Sequence, residues 1–132
     1  MTSTVLDASA LLALLQDEPG AARVLEALPD ALICSVNLSE VVAKLADVGM
    51  PENDIRRALT LGLEIIPFDE ILAFSAGILR PATRHAGLSL GDRACLALAE
   101  SRSLPALTTD RSWTTLDTDI EIILIRPEAV GG

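Results

Sequence analysis

The chain has 132 residues, of which 50% are hydrophobic and 22% charged, and its formal net charge is −9. This length predicts one domain, residues 1–132, that buries roughly two-thirds of the surface of the unfolded chain. Every apolar run ends before the ~18 residues of a membrane-spanning helix, and no basic segment precedes the first run as in a secretory signal. The acidic balance excludes a protein that binds nucleic acid through bulk electrostatic attraction, so a polyanionic substrate would need a metal ion and a few local arginines.

Apolar segments of two lengths alternate along the chain, short ones typical of strands and longer ones typical of helices. We expect strands at residues 3–6, 31–35, 63–66, 105–108 and 120–125. We expect helices at residues 8–15, 21–28, 38–48, 51–61, 69–80 and 91–102, a turn or short helix at 82–88, and a tail at 127–132. This alternation predicts an α/β fold, a three-layer α/β/α sandwich around a mainly parallel sheet.

The two cysteines, Cys34 and Cys95, lie in apolar stretches and have no CxxC spacing. We interpret both as buried, reduced thiols of a cytoplasmic protein, and nothing in the sequence supports a disulfide between them.

Four acidic residues mark equivalent places in this pattern. Asp7 and Asp110 each follow a strand, whereas Glu40 and Asp92 lie near the start of a helix. In a parallel sheet the ends of strands and the starts of the helices that run back against the sheet share the carboxyl edge, where open α/β sheets place their sites. The pattern therefore predicts a carboxylate cluster, the ligand set that a hard divalent cation prefers.

Each of these acids also has a purely structural interpretation. Asp7 is a possible N-cap of the helix at Ala8, and Asp92 suits the first turn of a helix. Asn37 and Glu40 match a capping box, and Asp110 matches an Asx-turn. Like charges ~4 Å apart repel by about 4 kcal/mol at an effective dielectric constant near 20, so four clustered carboxylates are hard to justify by stability alone.

Other polar residues give weaker signals. His85 is the single histidine, and no nucleophile-elbow glycine pattern surrounds a serine that would complete a catalytic triad with it. Arg93 and Arg111 directly follow two of the acids and are candidates to hold a phosphate or to pair with neighbouring carboxylates. Lys44, the single lysine, is interpreted as a solvated side chain.

Two other enzyme and signalling classes begin with an aspartate after the first strand. An aspartyl-nucleophile phosphatase usually has a second Asp two residues later, where this chain has Ser9. A phospho-receiver domain needs paired acids near the first strand and a late lysine, and this chain has neither. Both classes are therefore disfavoured.

Four segments together resemble the PIN-domain family, and most of all its VapC-type ribonuclease toxins from bacterial toxin–antitoxin pairs. They occur in the family's order and spacing and cover essentially the whole chain. The segments are Val5-Leu-Asp-Ala-Ser9, Ser39-Glu40-Val41, Leu90-Gly-Asp92-Arg-Ala-Cys-Leu-Ala-Leu-Ala99 and Leu104-Pro-Ala-Leu-Thr-Thr-Asp110-Arg-Ser-Trp113.

The resemblance implies an endoribonuclease that depends on Mg²⁺ or Mn²⁺. It maps the family's acidic site onto Asp7, Glu40, Asp92 and Asp110, all of which serve as catalytic residues and metal ligands. It assigns supporting hydroxyls to Ser9 and Thr109. It also implies a homodimer, a cognate antitoxin as protein partner and an RNA substrate whose identity the sequence does not give. The alternative is a catalytically silent PIN-like module that binds a partner protein.

Overall fold

The computed structural model of the chain describes residues 3–125. The predicted tail at 127–132 and both ends of the predicted domain lie outside these residues. The strands are β1 (Thr4–Leu6), β2 (Ala31–Cys34), β3 (Glu64–Ile66), β4 (Ala106–Thr108) and β5 (Ile122–Leu124). The helices are α1 (Ala8–Leu15), α2 (Ala21–Ala27), α3 (Ser35–Asp47), α4 (Glu52–Ala58), α5 (Glu70–Ile78), α6 (Arg80–Thr83) and α7 (Leu90–Arg102). Short 3₁₀ segments lie at Leu28–Asp30, Arg84–Ala86 and Arg111–Thr115.

The five strands form one parallel sheet in the order β3-β2-β1-β4-β5. From the central β1 the chain moves outward to β2 and β3, and later returns to the other side of β1 to add β4 and β5. The strand order therefore reverses between β1 and β4. Side chains beyond the carboxyl ends of these two strands flank the crevice in which open α/β sheets bind their ligands.

Helices cover both faces of the sheet, which confirms the predicted three-layer sandwich. One core packs α1, α2, α3 and α4 against a face that includes Leu6 of β1. The other core packs α5 and α7 against the face that includes Val5. Consecutive β1 residues thus point into opposite cores, as the two-residue repeat of a strand requires.

Both cysteines are buried and free, as predicted. Burial raises the pKa of the Cys34 and Cys95 thiols, so neither has the low thiol pKa typical of reactive cysteines. Across residues 3–125, no helix is long and apolar enough to cross a membrane.

The predicted start of α3 is wrong. The helix begins at Ser35, directly after the last residue of β2, and Cys34 occupies the cap position without a side-chain capping bond. Asn37 therefore lies inside the first turn rather than at the cap, and the predicted capping box with Glu40 does not form. A tertiary contact explains the difference, because the Asn37 amide donates to the carbonyl of Gly91 on α7 at 2.9 Å.

Other boundaries differ from the prediction by a few residues. The predicted helix at 51–61 is shorter and ends at Ala58. The predicted strand at 120–125 contracts to Ile122–Leu124, and α6 continues through Pro81, which lies in the first turn where proline is tolerated.

Candidate functional site

All four predicted acids line one open cleft at the carboxyl edge of the sheet. The cleft has a volume of about 310 Å³ and is lined by Asp7, Ala8, Ser9, Leu12, Glu40, Lys44, Asp92 and Asp110. Larger cavities of about 450 and 590 Å³ lie elsewhere on the surface. Cavity volume therefore does not identify the site. The site is identified by the convergence of four carboxyl groups from four separate elements.

Asp7 is the buried centre of the site, with only 3% of its surface exposed. It caps α1, because Oδ1 accepts a hydrogen bond from the backbone N–H of Ala10 at 2.8 Å. The Ser9 hydroxyl lies 2.7 Å from Oδ1 and 2.9 Å from Oδ2 and donates to this carboxylate. Ser9 is itself fixed by the backbone N–H of Thr109, which donates to its Oγ at 3.0 Å. The capping and functional interpretations of Asp7 are thus compatible.

A second hydroxyl, which the sequence analysis missed, connects Asp7 to β4. Thr108 is fully buried and donates from Oγ1 to Asp7 Oδ2 at 2.6 Å. The same Oγ1 accepts the backbone N–H of Asp110 at 3.0 Å. Thr109, the predicted hydroxyl residue, contacts Ser9 through its backbone, and a role for its side chain stays a prediction. The ends of β1 and β4 are therefore tied together through the Asp7 carboxylate.

Glu40 projects from the second turn of α3 and is held against α7. Asn37, which is only 1% exposed, donates from Nδ2 to Glu40 Oε1 at 3.1 Å and to the Gly91 carbonyl at 2.9 Å. The Glu40 carboxylate also lies against the Cα of Gly91, where any Cβ would overlap both carboxylate oxygens. A Cβ at position 91 would therefore displace the end of the flexible Glu40 side chain, so glycine permits this close approach of the carboxylate. A predicted cap residue, Asn37, instead positions a site residue.

Asp92 and Asp110 each use one carboxylate oxygen to hold the local backbone. Asp92 forms a capping box at the start of α7, in which its Oδ2 accepts from the backbone N–H of Ser89 at 2.9 Å. Asp110 Oδ1 accepts from the backbone N–H and hydroxyl of Ser112 at 2.9 and 2.8 Å. The structural interpretations of these acids are correct, and they coexist with membership of the cleft.

The electrostatics of the cleft disfavour the charged forms of Asp7 and Glu40. Burial raises the pKa of Asp7 from 3.8 to about 6, opposed by the hydrogen bonds from Thr108, Ala10 and Ser9 and assisted by the negative charge of Asp92. Burial also raises the pKa of Glu40, opposed by Asn37 and again assisted by Asp92. The negative charge of Asp92 contributes to the raised pKa of both groups, so these three carboxyl groups are electrostatically coupled. A cation in the cleft would remove this penalty.

The predicted basic residues occupy different positions around the site. Lys44 is exposed, as predicted, but it also lines the cleft. Arg93 donates from Nη1 to the carbonyl of Ala76 on α5 at 2.9 Å, and Arg111 lies exposed directly after Asp110. A phosphate-binding role for either arginine stays a prediction. His85 lies exposed with its Nε2 3.4 Å from the Thr115 hydroxyl, so it does not line the cleft.

The donor set fits a hard divalent cation, because it consists of four carboxylates with two hydroxyls behind the most buried one. Within residues 3–125, however, no three Asp, Glu, His or Cys side chains are grouped so that they could hold a metal ion. Binding a cation would therefore require some carboxylates to turn toward one another. Glu40 and Asp92 are exposed or half-exposed side chains, whereas Asp7 is fixed by its hydrogen bonds.

A parallel α/β/α sandwich with an acidic cleft at the point of strand reversal defines a class of α/β folds rather than one protein. The PIN domain model matches residues 4–118, and the chain belongs to the PIN domain family.

Several solved structures share this fold. A chain of a toxin–antitoxin complex from Klebsiella pneumoniae is 26% identical, with a TM-score of 0.70 over 91% of this chain and 100% of that chain. A member of the VapBC family, VapBC-5 from Mycobacterium tuberculosis, is 28% identical, with a TM-score of 0.59 over 96% and 100% of the two chains. VapC20 from the same organism, a sarcin–ricin loop cleaving toxin, is 17% identical, with a TM-score of 0.70 over 95% and 100%. No curated protein matches this chain in sequence.

Proposed function

We propose that this protein is a metal-dependent endoribonuclease that hydrolyses RNA phosphodiester bonds. One observation carries the proposal: carboxyl groups from four separate elements line one cleft at the strand reversal of a PIN domain. A carboxyl group with the burial of Asp7 costs stability unless something in the cleft compensates its charge. A bound divalent cation is the simplest compensation.

Asp7, Asp92 and Asp110 are the proposed ligands of Mg²⁺ or Mn²⁺. Glu40 completes the carboxylate set and orients the attacking water, with its Oε1 held by Asn37. Such a cation supplies an activated water and neutralises charge that develops on the phosphate. Ser9 and Thr108 keep the Asp7 carboxylate oriented and, by donating hydrogen bonds, favour its charged form. We propose Arg93 and Arg111 as contacts for the RNA backbone.

We further propose that the protein is the toxin of a toxin–antitoxin pair, acts as a homodimer in the cytoplasm and is inhibited by a cognate antitoxin. The relatives from Klebsiella pneumoniae and the VapBC-5 system support this role, since each is described as a toxin–antitoxin assembly and aligns with nearly this whole chain. The alternative remains a silent module that binds a protein partner without cutting RNA. Retention of all four carboxylates in one cleft favours the enzyme.

The test is incubation of purified protein with total cellular RNA in Mg²⁺, in Mn²⁺ and in EDTA, followed by sequencing of the new 5′ ends. Asp92→Asn is run beside wild type, and Asp117→Asn, the same change at an exposed position outside the cleft, is the matched control. Discrete ends that require both a divalent cation and Asp92 support the proposal. Absence of cleavage by folded wild-type protein in every condition favours the silent module.

A further inference from the structure

Lys44 is a cation that lines the acidic cleft and also lies in the last turn of α3, where the helix dipole favours positive charge. It lies on α3 one turn after Glu40 and lines the cleft together with the four acids. Glu40 precedes it by four residues and Asp47 follows it by three, spacings at which ion pairs commonly form. Within residues 3–125, no carboxylate oxygen comes within 4.0 Å of the Lys44 ammonium.

Three exposed arginines pair with acids on their own helices, whereas the exposed Arg80, Arg84 and Arg102, like Lys44, form no ion pair within residues 3–125. Arg23, Arg56 and Arg57 each form an ion pair on their own helix, with Glu26, Glu52 and Asp54. The guanidinium of Arg93 contacts the carbonyl of Ala76. Lys44 differs from these arginines because it lines the cleft, where its charge is available to an incoming group.

Charge balance in the cleft indicates what that group is. Four carboxylates with one ammonium leave a charge of about −3 when all are ionised, and a divalent cation reduces it to about −1. A phosphodiester adds one further negative charge, and the whole chain, at −9, offers no general attraction for RNA. A local positive charge at the mouth of the cleft offsets this repulsion where the substrate enters.

We infer that Lys44 binds the RNA backbone phosphate that lies next to the scissile phosphate. The inference rests on the proposed ribonuclease function. Lys44 lies four residues after Glu40, which is about 6 Å along the helix axis. At this distance the two side chains face neighbouring phosphates of an RNA strand rather than the same phosphate. A lysine ammonium is a mobile point charge with three donors, which suits contact with a phosphate whatever the base sequence.

The test measures binding and catalysis separately for wild type, Lys44→Gln and Lys44→Arg. The matched control is Arg102→Gln, which removes one positive charge at the far end of α7, outside the cleft. Binding of a fluorescein-labelled single-stranded RNA is followed by fluorescence anisotropy in EDTA across a series of NaCl concentrations. Cleavage of the same RNA in Mn²⁺ gives kcat and KM.

For Lys44→Gln we expect the Kd and KM to rise about tenfold, with kcat within about twofold of wild type. The slope of log Kd against log salt should fall by about 0.7, the value for one phosphate contact on a single strand. Lys44→Arg should restore most of the affinity, and Arg102→Gln should leave KM and the salt slope at wild-type values.

If wild type cuts RNA normally, two results for Lys44→Gln overturn this inference but not the proposed function. One is a KM and a salt slope equal to those of wild type, and the other is a loss confined to kcat. A wild-type protein that is folded yet neither binds nor cuts RNA overturns the proposed function, and this inference with it.

Discussion

Asp7 is the residue whose replacement tests the electrostatics of the site most directly. Its carboxyl group is 3% exposed, and its pKa in the folded protein is about 6, compared with 3.8 for an ordinary aspartate. We predict that Asp7→Asn makes the metal-free protein more stable at neutral pH while it abolishes RNA cleavage. An asparagine oxygen retains the hydrogen bond from Ala10, and the hydroxyls of Ser9 and Thr108 can rotate to accommodate the amide.

The magnitude and sign follow from the shift in pKa. About two pH units at 1.36 kcal/mol per unit give about 3 kcal/mol. Because the folded pKa lies above the unfolded value, this carboxyl costs no stability below about pH 4, where it is protonated in both states. Stability then falls as the pH rises through 4 to 6, and the full loss applies above about pH 6. The raised pKa of Glu40 also lowers stability as the pH rises. This effect is the same in wild type and in Asp7→Asn, so it cancels from the difference between their free energies of unfolding.

The assay is urea unfolding in EDTA from pH 4 to pH 8, followed by circular dichroism. Asp7→Asn should exceed wild type in free energy of unfolding by up to about 3 kcal/mol at pH 8 and by much less at pH 4. Asp69→Asn, the same change at the exposed N-cap of α5, is the matched control for loss of a capping carboxylate. A wild-type-minus-variant difference that is the same at pH 4 and pH 8 would refute the reasoning.

Three further changes probe the supports of the site. Gly91→Ala should reduce cleavage about 100-fold with the fold retained, because the new methyl group displaces the Glu40 carboxylate. Gly77→Ala, which adds a methyl group in open space on α5, is the control. Equal cleavage activity of the two variants would contradict this account. Thr108→Val removes a hydrogen-bond donor to the Asp7 carboxylate and should raise the pKa of Asp7 by about one further unit. The acidic limb of the pH–rate profile should then move to higher pH by the same amount. Mn²⁺ at 100 times its dissociation constant should stabilise wild type by about 2.7 kcal/mol in thermal melting and Asp7→Asn far less, and an equal shift in both would place the ion elsewhere.

The sequence predicted the sandwich and the carboxylate edge because both depend on local rules that act together. Asp7 interrupts an apolar strand and caps the next helix, and Asp92 lies in the first turn of another helix, whose N-cap is Ser89. In a parallel sheet the strand ends and the helix starts share one edge, so these two positions predicted where the cleft lies. The structural and functional interpretations, which are alternatives in the sequence, are therefore compatible in the structure for these two residues.

Asn37 shows where local rules fail. Its spacing to Glu40 fits a capping box as well as it fits two residues within a helix, and sequence alone does not separate these cases. A long-range hydrogen bond to Gly91, 54 residues away, selects the second. The close approach of the Glu40 carboxylate to Gly91 likewise arises only when α3 and α7 meet.

Thr108 was missed for a different reason, which the sheet register explains. Thr108 and Thr109 both precede Asp110, so the local sequence gives no preference between their hydroxyls. In the structure Val5 pairs with Ala106 and Leu6 pairs with Leu107. The same register, extended by one residue, places Asp7 beside Thr108. Neighbours in register on parallel strands point to the same face, so the hydroxyl at 108 reaches Asp7 and the side chain at 109 points away. A slip of one residue in the pairing of β1 with β4 would exchange these roles, so the register of two three-residue strands decides which threonine holds the central carboxylate.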